Sequence, residues 1–208
     1  YITNPHSPSG TWLEESEVRR IIESAPNSLV VLDEAYVHYS NTGGYISLAH
    51  EYENLAVLRT FSKAFGLAGL RIGFGIAHPQ VIKTLLAVKP TWNMGQLQIV
   101  GGVAALDDDQ HVEKTVETIM TNRDYVQTRL NDLDRFRMIS NSYSNFFLVE
   151  ILDPEINSTE VFEGLLERGV VVKDGSVSFR GLGDRFLRCD VNFQQHMDRL
   201  ADALADLS

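Results

Sequence analysis

The sequence predicts an α/β protein: a mostly parallel sheet with flanking helices over residues 1–107, then a small α+β domain over residues 108–208. Three observations predict it. Leu29-Val30-Val31-Leu32 and Leu55-Ala56-Val57-Leu58 are continuous apolar runs of strand length, the composition of parallel strands buried on both faces. Amphipathic helical patterns lie around these runs. Beyond a long helical stretch at 110–133 the rhythm changes to short strands and helices with brief connections.

The elements follow in order. Tyr1-Ile2-Thr3-Asn4-Pro5 reads as a strand end running straight into a loop, so residues are expected to precede Tyr1. Thr11-Trp12-Leu13-Glu14 has the T-x-x-E form of a capping box and opens a helix with Val18, Ile21, Ile22 and Ala25 on one face, ending near Pro26-Asn27. The first apolar run stops at Asp33-Glu34, the second at Arg59-Thr60-Phe61-Ser62-Lys63. A third run, 72–77, carries Gly73 and Gly75. Helices are expected at 79–88 and 94–106, and the long helix at 110–133 links two domains. Then come a strand at 146–151, a helix at 159–168, strands at 170–173 and 186–191, a polar Gly-rich stretch at 175–183 and a C-terminal helix.

Composition excludes several classes. A formal charge of -10 argues against a nucleic-acid footprint, which needs a clustered basic face, and against an anionic membrane surface. One cysteine, Cys189, leaves no disulfide framework and fits a reducing, cytoplasmic setting; within a strand it reads as a small buried apolar residue. No apolar run spans a bilayer. The six histidines lack metal-ligand spacing, so no metal site is expected. Gly73-Phe74-Gly75 is not a dinucleotide fingerprint, because the remainder of the motif is missing.

In open α/β sheets ligands collect beyond the carboxyl ends of the strands, and Asn4, Asp33 and Lys63 each follow such an end. Four segments stand in order: Asn4-Pro5-His6-Ser7-Pro8-Ser9-Gly10, Asp33-Glu34-Ala35-Tyr36, Ser62-Lys63-Ala64-Phe65-Gly66-Leu67-Ala68-Gly69-Leu70-Arg71, and Phe186-Leu187-Arg188. Asn4 and Asp33 are 29 positions apart, Asp33 and Lys63 30. Together these segments resemble the fold-type I pyridoxal-phosphate (PLP) aminotransferases, with the closest likeness to the histidinol-phosphate aminotransferases. The resemblance implies the C-terminal part of the large PLP-binding domain at 1–107 and the small C-terminal domain at 108–208.

The resemblance also implies roles. Lys63 is the covalent anchor of pyridoxal 5'-phosphate and a proton carrier, two tasks an arginine cannot perform. Asp33 keeps the pyridine nitrogen protonated; Tyr36 and Asn4 bond the cofactor's phenolic oxygen; Ser62 and Arg71 hold its phosphate. Arg188, Asn145 and Lys173 lie on the substrate side. A structural salt bridge remains open for Arg188 and a plain turn role for Asn145. Expected partners are an amino donor, an oxo acceptor and a second copy in a homodimer, with neither nucleic acid nor membrane.

Two features depart from the resemblance near the substrate's anionic group: Lys173-Asp174 where an arginine usually precedes the aspartate, and Cys189-Asp190-Val191-Asn192 after Arg188. Decarboxylation of an O-phospho amino acid, transamination in a specialised pathway, and the effector domain of a transcription regulator therefore stand as alternatives.

Overall fold

A computed structural model describes residues 1–40, 42–139 and 141–207. They fall into two compact units: Tyr1–Ser7 with Thr11–Val116, and Pro8–Gly10 with Glu117–Ser208.

The first unit holds a four-stranded sheet ordered β1-β2-β3-β4: β1 (Ile2–Thr3), β2 (Val30–Asp33), β3 (Leu55–Thr60) and β4 (Gly73–Ala77). The first three strands are parallel; β4 runs antiparallel to β3. The connections explain both directions. β1 reaches β2 through helix α1 (Glu15–Ser24), and β2 reaches β3 through 3₁₀ turns at Val37–Tyr39 and Ile46–His50, each a crossover long enough for a parallel return. The shorter link from β3 to β4, with one 3₁₀ turn at Ala68–Leu70, reverses the chain.

Helix α1 starts later than the T-x-x-E pattern suggested. Its N-cap is Glu14, whose N–H donates to Glu17 Oε2 at 3.0 Å, so the capping pair is Glu14 with Glu17. Its buried residues Val18 and Ile22 pack against Val30, Leu32, Leu55 and Val57, each burial stabilising by about 1.5–3 kcal/mol. Only this face of β2 is fully buried. Val31 and Asp33 on the other face are half-buried, where the apolar run led us to expect burial on both.

Helices α2 (Pro79–Val88) and α3 (Gln96–Leu106) leave Leu85, Leu86, Val88, Trp92, Leu97, Val100 and Val103 more than half exposed. A helix apolar around its circumference, as α3 is, normally lies buried, and exposed apolar side chains in this number favour association. The isolated chain is therefore expected to bind the apolar dye ANS and to elute as multimers, whereas Leu97→Glu with Val103→Glu shifts it toward monomer. Size-exclusion chromatography with light scattering checks both.

In the second unit, β5 (Phe136–Met138), β6 (Phe146–Ile151), β7 (Lys173–Asp174) and β8 (Phe186–Asp190) form an antiparallel sheet ordered β5-β6-β8-β7. The period of two sorts its faces. Phe136, Met138, Phe147, Val149, Ile151, Leu187 and Cys189 enter a core shared with α4 (Asp109–Leu130), α5 (Ser158–Glu167) and α7 (Gln194–Ala205). Phe146, Leu148, Arg188 and Asp190 point the other way. Burial pushes the Cys189 thiol pKa upward, which leaves it an inert core residue.

The expected strand at 170–173 shortens to Lys173–Asp174, because Val170 N–H closes the turn after α5 on Leu165 and Val171 is exposed. The Gly-rich stretch contains a short helix, α6 (Gly175–Ser178), capped by Asp174. This buried carboxylate accepts from Ser158 Oγ at 2.5 Å, Thr159 Oγ1 at 2.7 Å and Ser176 N at 2.9 Å. Burial pushes its pKa up, but those donors outweigh it and hold it below the usual range, tying α5, β7 and α6 together.

Candidate active site

The parallel register Thr3↔Asp33 and Asp33↔Leu58 brings the carboxyl ends of β1, β2 and β3 to one rim. Asp33 closes β2, with Tyr36 three residues on; Lys63 lies three beyond the end of β3. The Lys63 Nζ sits 4.9 Å from the centroid of the Tyr36 ring, which attracts the ammonium through the ring's negative face. Asp33 Oδ1 accepts from Ala35 N–H at 2.9 Å, and its Oδ2 accepts from the Tyr1 hydroxyl. That hydrogen bond pushes the Tyr1 phenol up to about 12, so it stays a neutral donor.

Local structure fixes Lys63. Phe61 N–H donates to Ile72 O, Leu67 N–H to Phe61 O and Gly66 N–H to Lys63 O, folding the loop back on itself. Gly66 supplies the φ of 72° that this turn needs. Phe65 lies 4.8 Å from Phe61 and makes an edge contact with His38 at 5.0 Å, while Phe61 meets Phe74 at 5.8 Å. Burial, with Arg59 nearby, lowers the His38 pKa and keeps the ring neutral in this aromatic wall. Arg71 stands exposed in the left-handed region at φ 55°, its Nη1 on Ala68 O at 3.0 Å, and Ser62 N–H bonds Thr60 Oγ1 at 3.1 Å. A non-glycine residue held in that region is the kind of local strain that collects at functional loops.

Asn4 follows the end of β1. It has no solvent-accessible surface, and its amide is engaged on both sides by Leu13, which donates to Oδ1 at 2.7 Å and accepts from Nδ2 at 3.1 Å. These bonds pin the loop after β1, whose Asn4-Pro5 peptide is cis, to the segment before α1.

Reading the motifs also missed the groups beneath this rim. Glu34, fully buried beside Asp33, accepts from Arg59 Nε at 2.9 Å and Nη2 at 2.7 Å and from Tyr45 N–H at 2.5 Å. Arg59 Nη2 also donates to Gly43 O at 2.6 Å. Burial pushes the Glu34 pKa up against these donors, all of which favour the carboxylate. The adjacent Asp33-Glu34 pair and Arg59 at the end of an apolar run were the available signals.

The second unit carries the other candidates. Arg188 lies with its guanidinium carbon 3.9 Å from the Phe146 centroid, and its Nη2 donates to Asp190 Oδ1 at 2.7 Å, so a salt bridge does form on this strand. Lys173 is the Cα partner of Arg188 across β7 and β8. Asn145 precedes β6; its backbone carbonyl accepts from Val191 N–H, while its Oδ1 is buried without a hydrogen-bond partner, an acceptor left open. Among the described residues no group of three His, Cys, Asp or Glu could hold a metal, and no helix is long and apolar enough to cross a membrane.

A mixed sheet whose parallel strands lead to a carboxylate and an amine, followed in the chain by a small α+β unit, matches the fold-type I transferase class. The Aminotransferase class I and II family matches residues 1–204, and the chain belongs to it. It is 32% identical over 207 residues to a histidinol-phosphate aminotransferase of Methanothermobacter thermautotrophicus, covering 100% of this chain and 54% of that protein. The solved histidinol-phosphate aminotransferase of Clostridium acetobutylicum superposes at a TM-score of 0.91 with 21% identity, over 99% of this chain and 63% of that one, a likeness of fold. The L-threonine-O-3-phosphate decarboxylase of Porphyromonas gingivalis superposes at 0.86 with 26% identity, over 99% and 62%. The chain thus spans about half the length of the curated relative it matches.

Proposed function

We propose that this chain carries the catalytic lysine and the small domain of a PLP-dependent aminotransferase that moves an amino group between an amino acid and a small oxo substrate. Imidazole-acetol phosphate is the first acceptor to test, on the strength of the relative from Methanothermobacter. In this reading residues 1–107 are the C-terminal part of the cofactor domain, 108–208 the small domain, and the working form is a cytoplasmic homodimer. The observation that carries it is the Lys63 ammonium resting on the Tyr36 ring at the rim closed by Asp33.

The donor set fits the cofactor. Lys63 is half-buried, and Asp33 Oδ2 is held by a neutral phenol that a cationic ring N–H can replace. Pyridoxal phosphate, when bound, supplies an electron sink for the carbon that loses its proton. Lys63 Nζ would anchor it covalently and, once a substrate amine has displaced it from that bond, would be free to take up and return the substrate carbon's proton. Asp33 holds the proton on the ring nitrogen, a task that requires a formal negative charge. The Tyr36 hydroxyl bonds the phenolic oxygen, and Ser62 and Arg71 bind the phosphate. Asn4 stands with Tyr36 on the phenolic-oxygen side, on the loop that its bonds to Leu13 hold. Arg188, Lys173 and Asn145 take the substrate's anionic end.

Likeness to the phosphothreonine decarboxylase favours a second reading, carbon dioxide release from an O-phospho amino acid. Incubating the chain and PLP with histidinol phosphate and 2-oxoglutarate, and separately with O-phosphothreonine, distinguishes the two. Glutamate formation is expected. Carbon dioxide without glutamate would replace this reading with the second.

A further inference from the structure

The loop after Lys63 ends on a backbone conformation that an arginine does not favour. Arg71 stands at φ 55° and ψ 46°, in the left-handed region, and closes the 3₁₀ turn Ala68–Leu70. The chain is held on both sides of it. Ile72 is buried, and its carbonyl accepts from Phe61 N–H at 3.2 Å. The Leu70 carbonyl accepts from Gln98 Nε2, on helix α3, at 2.8 Å. Through Oε1 the same Gln98 accepts from Gly95 N–H at 2.6 Å, which fixes its carboxamide at the start of the helix. Helix and turn approach closely here. A Cβ on Gly101 would lie 2.7 Å from Leu70 Cδ1, and one on Gly102 3.2 Å from Ile72 Cδ1.

We propose that Gln98 is a positioning residue that holds Arg71 in the conformation in which its guanidinium meets the cofactor's phosphate. The proposal rests on the reading of Arg71 as a phosphate ligand. The peptide between Leu70 and Arg71 is a rigid plane, so Arg71 leaves the left-handed region most easily when that plane turns over. Such a turn changes ψ of Leu70 and φ of Arg71 together and swings the Leu70 carbonyl away from where it points. Gln98 Nε2 holds that carbonyl and so opposes the turn. An arginine grips phosphate through a planar fork of donors, and a rotated backbone carries the fork off its target. The Arg71 side chain has little else to keep it in place, being exposed with its Nη1 on Ala68 O at 3.0 Å. Gln98 acts through the Leu70 carbonyl, and Gly101 lets α3 come near enough for it to reach.

Equilibrium dialysis of the 208-residue chain against pyridoxal phosphate and against pyridoxal tests this, since the ratio of the two affinities reports on the phosphate. Gln98→Met is expected to weaken pyridoxal phosphate by about tenfold and pyridoxal by no more than about twofold, the loss of one charge-assisted contact. That variant also removes a cap from α3. Adding Gly95→Ser supplies a new N-cap without restoring a donor to the Leu70 carbonyl. The double variant should match the original chain in thermal stability and still lack its preference for the phosphate. Recovery of that preference, an equal fall for both ligands, or an unchanged ratio in Gln98→Met overturns the proposal. Arg71→Met separates the two levels of inference. A preference lost there but kept in Gln98→Met leaves the Arg71 reading standing and removes the Gln98 proposal. A preference that survives Arg71→Met, or that the unsubstituted chain lacks, removes both.

Discussion

Lys63→Ala is expected to abolish covalent retention of pyridoxal phosphate and to lower amino transfer by about 10²–10⁴-fold, the range of a lost acid–base group. The measurement can be made independent of turnover. After incubation with PLP and borohydride reduction, trypsin cannot cut after a modified Lys63, so the label appears in the peptide between the cuts at Arg59 and Arg71. The competing lysines make this a demanding test: Lys83, Lys89, Lys114 and Lys173 are all exposed, whereas Lys63 is half-buried. Non-specific aldehyde chemistry would favour those four. Label concentrated at Lys63 requires a site that selects it, and label spread in proportion to exposure would sink the assignment. Lys63→Arg should fail as completely as alanine, because a guanidinium stays protonated and cannot form the bond.

The parts of this site that were legible in the sequence are those in which one residue type at one strand end suffices. Asp33 and Lys63 each follow an apolar run, and parallel pairing of such runs has to gather their carboxyl ends. Asn4 also follows a strand, yet its partner is the backbone of Leu13, nine residues on, and no local pattern reports that bond. Thr11 matched a capping template that Glu14 and Glu17 fill instead, since both backbone polar groups of Leu13 are taken by the Asn4 amide. β5 was missed because three residues, Phe136-Arg137-Met138, give too short an alternation to rise above a turn. Asp190 read as a departure from the resemblance; its bond to Arg188 gives that departure a physical content.

Least legible of all was the Glu34–Arg59 pair, and its removal carries the largest expected effect on stability. Arg59→Met is expected to destabilise the first unit by about 3–5 kcal/mol, the usual loss when one partner of a buried ion pair is removed. Glu34 would keep only the Tyr45 N–H, with no exposed surface through which water could compensate. Glu34→Leu combined with Arg59→Met should be milder than Arg59→Met alone, because a buried pair exchanged for apolar groups is often close to neutral. Gly44→Ala reaches the same point by another route: its Cβ would lie 2.6 Å from both Glu34 carboxylate oxygens, at a φ of 82°. Urea unfolding followed by tryptophan fluorescence isolates the response, since both tryptophans, Trp12 and Trp92, belong to the first unit. Trp12 packs 5.2 Å from Tyr45, whose backbone N–H bonds Glu34, so its emission reports on the pair itself. If the double variant proves as unstable as the sum of the two single ones, the carboxylate and guanidinium act independently. Asp33 and Lys63 would then owe their positions to the strands and the aromatic wall alone.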